Sequence, residues 1–194
     1  LADQGVKELI LVAQETTLYG VDLYGKKSLP ELLKRLCRIS GLQWIRIQYC
    51  YPEEITDELI ETIKTEEKVC HYLDMPIQHA SDTILRRMGR RTSREQLKEI
   101  VGKLRSEIPD IAIRTTLISG FPGETEEDHE TLMEFVDEME FERLGVFAYS
   151  AEEDTPAAGF PDQIPQEVKE AVAYHALNSR IKYSPVGGMP ELRE

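Results

Sequence analysis

The stretch LISGFPGETEED, which spans residues 117–128, has the pattern of a strand followed by a turn and a helix. It begins as an apolar strand, breaks at residues 120–123 and continues as an acidic segment typical of a helix start. Two glycines and a proline at this junction have two interpretations. They form a plain turn, or they leave room for a ligand at the end of the strand, because glycine permits a positive φ and a close approach.

Apolar runs with the length of strands alternate with amphipathic segments along the chain. Ser28, Ser93 and Thr56 stand where helices should begin, the first two as members of capping boxes with Glu31 and Gln96. This alternation predicts a parallel sheet with helices outside it, curled into a full or partial barrel or doubly wound. The predicted strands lie at residues 6–13, 44–50, 69–77, 111–119 and 143–150.

The composition is that of an ordinary globular protein. The 194 residues are 41% hydrophobic and 30% charged, and no apolar run approaches the length of a membrane span. The net charge of -13 argues against direct nucleic-acid binding by this segment and favours a basic protein partner. Residues 1–13 read as the tail of a helix, a turn and a strand, so we expect a segment to precede them.

The three cysteines do not form a metal or redox motif. Cys37, Cys50 and Cys70 are widely spaced, and no pair has C-x-x-C spacing. Each lies in an apolar or amphipathic segment, which predicts buried free thiols in a reducing cytosol. No metal ligands are predicted in this chain.

Polar residues and glycines follow the predicted strands. Ligands of parallel α/β folds bind at the carboxyl ends of the strands, so these positions are the candidates for a site. The candidate residues are Gln14 and Glu15 after the first strand, Gln78 and His79 after the third, Arg114 within the fourth, Gly120, Phe121, Gly123 and Glu124 after the fourth, and Tyr149 and Ser150 after the fifth.

Three of these candidates have an alternative interpretation. Glu124 either favours the dipole of the following helix or accepts a hydrogen bond from a ligand amine or ribose. His79 is either a hydrogen-bonded residue at a strand end or a residue that contacts a cofactor or transfers a proton. Arg114 needs a partner within its apolar strand, which is a bound carboxylate or else Glu15 or Asp74.

Four segments together resemble the methylthiotransferase group of radical S-adenosylmethionine enzymes. They are LISGFPGETEED at residues 117–128, LVAQETTLYGVDLYG at 11–25, YLDMPIQHASDTILRRMGRR at 72–91 and FAYSAEEDTPAA at 147–158. The Gln-His-Ala-Ser of residues 78–81 is similar to the branch that modifies a ribosomal protein, whereas the tRNA-modifying branch usually has Gln-Ser-Gly-Ser. The acidic net charge agrees, because ribosomal proteins are basic.

The resemblance implies a partial (β/α) TIM-like barrel of the radical SAM type over residues 1–180. It lacks its first strand and cluster loop, and residues 181–194 form an irregular tail. The implied cofactors are S-adenosylmethionine and a 4Fe-4S cluster, whose three cysteines at C-x-x-x-C-x-x-C spacing are absent from this chain. The segment is therefore expected to be inactive alone.

The resemblance also implies roles for the candidate residues, although it identifies no catalytic residue. Gln14 and Glu15 would lie near the methionine amino group, and Arg114 would meet a carboxylate. The other implied cofactor contacts are Gln78 and His79 along the cleft, Gly120, Phe121, Gly123 and Glu124 along S-adenosylmethionine, and Tyr149 and Ser150 near the adenine edge.

The implied function is that of a cytoplasmic transferase that inserts a methylthio group at the β-carbon of an aspartate. Its substrate would be the small-subunit ribosomal protein S-twelve, and it would need an electron donor. Two alternatives remain open at this point. One is the same chemistry on a tRNA adenosine, and the other is a catalytically inactive scaffold that binds a partner.

Overall fold

The structure of the chain, a computed structural model, describes residues 1–178. The strands are β1 (Glu8–Leu11), β2 (Trp44–Ile47), β3 (Val69–Asp74), β4 (Ala112–Ser119) and β5 (Arg143–Ala148). The helices are α1 (Val21–Tyr24), α2 (Leu29–Cys37), α3 (Asp57–Thr65), α4 (Asp82–Arg87), α5 (Arg94–Glu107), α6 (Glu126–Met139) and α7 (Gln166–Asn178). Short 3-10 turns lie at Ala2–Gln4, Thr16–Leu18, Pro52–Glu54 and Pro156–Gly159. The tail predicted at residues 181–194 lies outside the described residues.

The five strands form one parallel sheet in the order β1-β2-β3-β4-β5. Right-handed crossovers between consecutive neighbours place the connecting helices on one face and curl the sheet around the other. The strand order does not reverse anywhere among the described strands, so the sheet is not doubly wound. The sheet is an open partial barrel, as predicted, and its inner face is the side without helices.

The two faces of β4 have different burial, which follows from this arrangement. Ile113, Thr115 and Leu117 are fully buried on the helix side, whereas the alternating residues on the inner face are only half-buried. Trp44 and Phe147 lie on the inner face of β2 and β5, and both are more than half exposed. The hydrophobic core therefore lies between the sheet and helices α2, α3, α5 and α6.

Side-chain hydrogen bonds cap the starts of α3, α5 and α6, whereas α1, α2 and α4 begin without one. Ser93 forms the predicted capping box of α5, and the Thr56 side chain accepts the expected hydrogen bond at the start of α3. The capping box predicted at Ser28 is wrong. The Ser28 hydroxyl donates to the carbonyl oxygen of Lys26, and Glu31 forms an ion pair of 2.8 Å with the Lys26 ammonium instead of reaching back. No helix among the described residues has the length and apolar character to cross a bilayer.

Candidate functional site

The carboxyl ends of β2 to β5 surround a cleft of about 550 Å³. This volume lies within the usual range for small-molecule sites. Tyr51 follows β2, Gln78 follows β3, and Ile118 and Phe121 belong to the end of β4 and its loop. The remaining lining residues come from the end of α4 and the segment after it, Arg86, Arg87, Met88, Gly89 and Arg90, and from the loop after β5, Thr155, Pro156, Ala157 and Phe160.

Gln78 enters this cleft from a constrained backbone. Its φ is +69°, a left-handed conformation that is uncommon outside glycine. The Gln78 N–H donates to the Thr116 carbonyl oxygen (3.0 Å), and the Ile118 N–H donates to the Gln78 carbonyl oxygen (2.8 Å). These two bonds to β4 hold the residue in place. Its side-chain oxygen, Oε1, is buried and has no hydrogen-bond partner among the described residues.

Aromatic rings form one wall of the cleft. Phe121 meets Tyr149 and Phe160 edge to face, with ring centroids 5.1 and 6.2 Å apart. Tyr149 lies behind Phe121 and is 7% exposed, and its hydroxyl is buried without a hydrogen-bond partner in the described part of the chain. An unpaired buried polar atom costs about 1–3 kcal/mol. The Gln78 oxygen and the Tyr149 hydroxyl are therefore groups that a polar ligand or a water molecule would satisfy.

A cationic rim faces this wall, although the chain as a whole is acidic. The Arg87 guanidinium lies over the Phe160 ring at 5.2 Å and donates to Asp162 at 3.3 Å. The Arg90 guanidinium lies 4.5 Å from the Tyr51 ring centroid. This rim was not among the predicted site residues. Its signal in the sequence is the run RRMGRR at residues 86–91, which begins in the last turn of α4.

The loop at residues 120–124 is held by its own glutamate. The Glu124 carboxylate accepts the N–H groups of Gly120 (2.7 Å) and Phe121 (3.0 Å), and its side chain is only 3% exposed. Thr125 caps the following helix α6 in a capping box with Asp128. Glu124 thus satisfies the backbone of the turn from inside the protein, and it also borders a second groove of about 530 Å³ between α6 and α7.

The two glycines of the loop adopt positive φ and are approached closely by the chain's own side chains. Gly120 has φ +75°, and a Cβ there would lie 2.7 Å from Cγ of Lys169 on α7. Gly123 has φ +79°, and a Cβ there would lie 2.8 Å from Cζ of Arg87. Turn geometry therefore favours glycine at both positions, and packing against the stem of Lys169 adds a second reason at Gly120.

Two histidines lie beside the Glu124 carboxylate. The Ser81 N–H donates to Nδ1 of His79 at 2.9 Å, so Nε2 carries the proton of the neutral ring. Nε2 of His79 and Nδ1 of His129 lie 3.7 and 3.5 Å from Oε1 of Glu124, longer than a normal hydrogen bond. Burial alone raises the pKa of the Glu124 carboxyl, but the two imidazoles and the Phe121 N–H outweigh burial and lower it to about 2.

Glu15 connects the loops after β1 and β2. One carboxylate oxygen accepts the N–H and the hydroxyl of Thr17, and the other accepts the Tyr51 N–H at 2.9 Å. Burial raises the pKa of the Glu15 carboxyl, and these hydrogen bonds oppose the rise. Gln14 and Ser150 are exposed, and neither lines the cleft.

Arg114 has an intramolecular partner on the inner face of the sheet. Its guanidinium donates to Oδ1 of Asp74 at 2.7 Å, and the other oxygen of Asp74 accepts the Tyr49 N–H at 3.2 Å. Asp74 is fully buried, whereas the Arg114 side chain is 39% exposed. Of the partners considered from the sequence, the structure selects Asp74 over Glu15.

The cysteines do not fit an iron–sulfur cluster. Cys37 ends α2, Cys50 follows β2 and Cys70 lies within β3, so they do not share a loop. Burial raises the pKa of the Cys50 and Cys70 thiols and, together with Glu66, the pKa of Cys37 to about 11. Cluster ligation needs several cysteines close together in one loop, which these three positions do not provide. No group of three potential metal ligands occurs within residues 1–178.

The structure therefore separates the predicted residues into several environments. Gln78 and Phe121 line the cleft, and Tyr149 packs behind Phe121. The other candidates are the buried bracing groups His79, Glu124, Gly120 and Gly123, the connecting residue Glu15, the inner-face residue Arg114, and the exposed Gln14 and Ser150.

Comparison with known proteins identifies relatives along most of the chain. The sequence model of the radical SAM superfamily matches residues 1–136. A relative from Lachnoclostridium phytofermentans, ribosomal protein uS12 methylthiotransferase RimO, is 72% identical over 171 residues, which are 88% of this chain and 39% of that protein. The protein of the same name from Geobacter sulfurreducens is 60% identical over 165 residues, 85% of this chain and 37% of its own length. The chain thus spans about two fifths of these relatives.

A solved structure supports the fold. Coproporphyrinogen III oxidase (HemN) from Escherichia coli, described as a radical SAM enzyme, superimposes with a TM-score of 0.62 at 21% identity. The match covers 76% of this chain and 36% of HemN. At this identity the likeness concerns the fold alone.

Substitution of Gly120 by alanine tests the packing of the loop against α7. Gly120→Ala should lower the free energy of unfolding by about 1–3 kcal/mol, because a new methyl group meets Lys169 in a strained backbone conformation. Gly102→Ala in the middle of α5 is the matched control. Nothing lies within 4 Å of its added Cβ, so it should raise stability by about 0.5–1 kcal/mol. Urea denaturation measures both, and a Gly120→Ala protein as stable as the wild type would contradict the contact.

Replacing Glu124 by glutamine should flatten the acid dependence of stability. The carboxyl pKa falls from 4.5 to about 2 on folding, so its contribution is complete above about pH 4.5 and is lost as the pH falls toward 2. Between about pH 5 and 2 the wild type should lose about 2–3 kcal/mol more than Glu124→Gln. Urea denaturation across this range measures the difference. Parallel curves for the two proteins would show that the carboxylate is not stabilised in the folded state.

Proposed function

The chain belongs to the radical SAM superfamily, and on this basis we propose that it is the central domain of a methylthiotransferase that modifies ribosomal protein uS12. The observation that carries the proposal is the 72% identity over 171 residues to a protein of that name. Because the chain spans 39% of that relative, the activity is one of the longer protein. The acidic surface supports the proposal, since a net charge of -13 favours a basic ribosomal protein as the partner.

The cleft at the carboxyl ends of the strands is the proposed site for S-adenosylmethionine. When bound, this cofactor and a 4Fe-4S cluster supply the radical chemistry of the superfamily. The cluster ligands lie outside this chain, since its own cysteines do not fit the role. Within the chain, the unpaired Gln78 oxygen suits a polar group of an adenosyl moiety, and Ile118, Phe121 and Phe160 suit its apolar surface.

The braced loops give this site its shape before a ligand arrives. Glu124 satisfies the loop after β4, Glu15 joins the loops after β1 and β2, and His79 packs beneath them with no exposed surface. A preformed site avoids the free-energy cost of ordering loops on binding. The role of these residues is therefore to position the lining residues, and Gln78 is the residue most directly available to the cofactor.

The proposed reaction inserts a methylthio group at the β-carbon of an aspartate of uS12, with electrons from a separate donor. The test uses the full-length protein with its iron–sulfur clusters reconstituted anaerobically, together with S-adenosylmethionine, sulfide as the sulfur source and a reductant, and purified uS12 and unmodified tRNA are supplied in separate reactions. We expect 5′-deoxyadenosine and a methylthio group on one uS12 aspartate, both detected by mass spectrometry, and no change in the tRNA.

Two other outcomes would overturn this assignment. Methylthioadenosine in the tRNA with unchanged uS12 would assign the chain to tRNA modification. The absence of 5′-deoxyadenosine from a protein with a fully loaded cluster would indicate an inactive scaffold.

Gln78→Ala tests the position of the cofactor independently of turnover. Loss of a buried hydrogen-bonding group should raise the Kd for S-adenosylmethionine about 5- to 10-fold in the full-length protein. Gln43→Ala removes an exposed glutamine outside the cleft and is the matched control. Isothermal titration calorimetry without reductant measures both affinities. Equal Kd values for the two variants would place the cofactor elsewhere.

A further inference from the structure

We infer that Arg114 and Arg143, which are neighbours on the inner face of the sheet, form the site that binds the carboxylate of the substrate's acidic side chain. The inference rests on the proposed function and names the substrate-recognition residues of the same enzyme. Arg143 lies outside the cleft and was not among the site residues predicted from the sequence. Arg114 is assigned to the substrate instead of the cofactor.

The strand register brings three arginines to one face. Arg114 lies opposite Asp74 of β3 on one side and opposite Arg143 of β5 on the other. Register partners in a parallel sheet project to the same face, so Arg143 lies on the inner face beside Arg114. The guanidinium of Arg46 lies 4.7 Å from the ring centroid of Tyr72, which is also on this face. The inner face therefore concentrates positive charge in a chain that is strongly acidic.

Within the described residues, one of these three arginines lacks a carboxylate partner. Arg46 pairs with Glu8 at 2.7 Å, and Arg114 pairs with Asp74 at 2.7 Å. Arg143 donates to the carbonyl oxygen of the preceding residue at 2.9 Å, and no ion pair to it occurs within residues 1–178. One positive charge on this face is thus uncompensated by the part of the chain that the structure describes.

The adjacent acidic residue does not supply the missing charge, because it is used elsewhere. The Glu142 carboxylate accepts the Ile113 N–H at 2.7 Å with one oxygen and a hydrogen bond from Arg105 at 3.2 Å with the other. Arg143 is therefore left with only the backbone oxygen of its neighbour among the described residues.

Asp74 already offsets the charge of Arg114, so the uncompensated charge of this pair is that of the exposed Arg143. The chain has 36 acidic residues, so a shortage of carboxylates is not the reason for the unpaired charge. A ligand carboxylate would offset this charge, and the planar guanidinium fork matches its two oxygens.

A glycine next to Arg143 leaves the inner face of β5 without a side chain at one position. Gly145 is the next inner-face residue of β5 and lies opposite Thr116. A Cβ at Gly145 would meet nothing closer than 3.7 Å, and its φ is not positive, so neither packing nor backbone geometry requires glycine there. Glycine within a strand weakens it and often marks a place where a ligand approaches closely.

The arginine pair lies near the amino ends of β4 and β5, because Arg114 is the third residue of β4 and Arg143 is the first residue of β5. Arg114 is nevertheless opposite Asp74, the last residue of β3, and the Tyr49 N–H just beyond β2 donates to Asp74. The pair is therefore level with the carboxyl ends of β2 and β3, where ligands of such barrels bind. An aspartate side chain bears a carboxylate next to its β-carbon, whereas an adenosine base bears no negative charge. At the reacting group itself, the pair thus complements an aspartate side chain better than an adenine ring.

Binding measurements without reductant test this site separately from catalysis. The full-length protein, saturated with S-adenosylmethionine, is titrated with uS12 and with a uS12 variant that has asparagine at the modified position. The wild type should prefer the aspartate form about 10- to 100-fold. Arg143→Gln should lose at least tenfold of this preference, and Arg143→Lys should be intermediate, because lysine retains the charge and loses the fork.

The controls distinguish a lost site from a damaged protein. Arg35→Gln removes an equivalent charge from exposed α2 and should retain the wild-type preference. Affinity for S-adenosylmethionine should remain unchanged in Arg143→Gln. If Arg143→Gln keeps the wild-type preference for aspartate, or if the wild type binds both forms equally, the inference is overturned.

A failure of the proposed function would give a different pattern. If the reconstituted wild type does not modify uS12, N-acetyl-aspartate methylamide and its asparagine counterpart become the probes. Binding of the aspartate probe to the wild type and to Arg35→Gln, with loss in Arg143→Gln, would leave the carboxylate site standing without the proposed substrate. Equal binding of the probe by all three proteins would overturn the site itself.

Discussion

The pairing of β4 with its two neighbours positions every candidate site in this protein. On one side it places Asp74 beside Arg114 and holds Gln78 in a left-handed conformation at the cleft. On the other side it aligns Arg114 with Arg143 and ends at Tyr149, whose N–H donates to the Ser119 carbonyl oxygen. Because backbone hydrogen bonds fix this register, a shift of one residue would move each of these side chains to the opposite face.

The structure separates groups that brace the site from groups that remain available to a ligand. Glu124 satisfies the turn after β4, and Glu15 satisfies the loops after β1 and β2, so both carboxylates are already engaged. The Gln78 oxygen and the Tyr149 hydroxyl are buried and unpaired among the described residues. Buried polar atoms are normally paired, and exceptions of this kind concentrate at functional sites.

Charge is distributed unevenly, and the distribution suits a radical enzyme that acts on a basic protein. The surface carries most of the negative charge, whereas arginines line the rim of the cleft and the inner face of the sheet. A basic partner is attracted over long range by the surface. Under the proposed function, an acidic side chain of that partner would meet the positive charge of the inner face, so attraction and selection would come from different parts of the molecule.

The order of strands and helices, the family and the capping box at Ser93 could all be predicted from the sequence, as could the position of Gln78 at a strand end. These features follow from hydrophobic periodicity and local motifs. The folded arrangement was needed to show that Asp74 is the partner of Arg114, and that Glu31 pairs with Lys26 instead of capping α2. The folded structure also shows that side chains from α7 and α4 lie close to the glycines at positions 120 and 123. Most of these contacts join residues far apart in the chain, and their geometry depends on strand register and helix packing, which local sequence patterns do not encode.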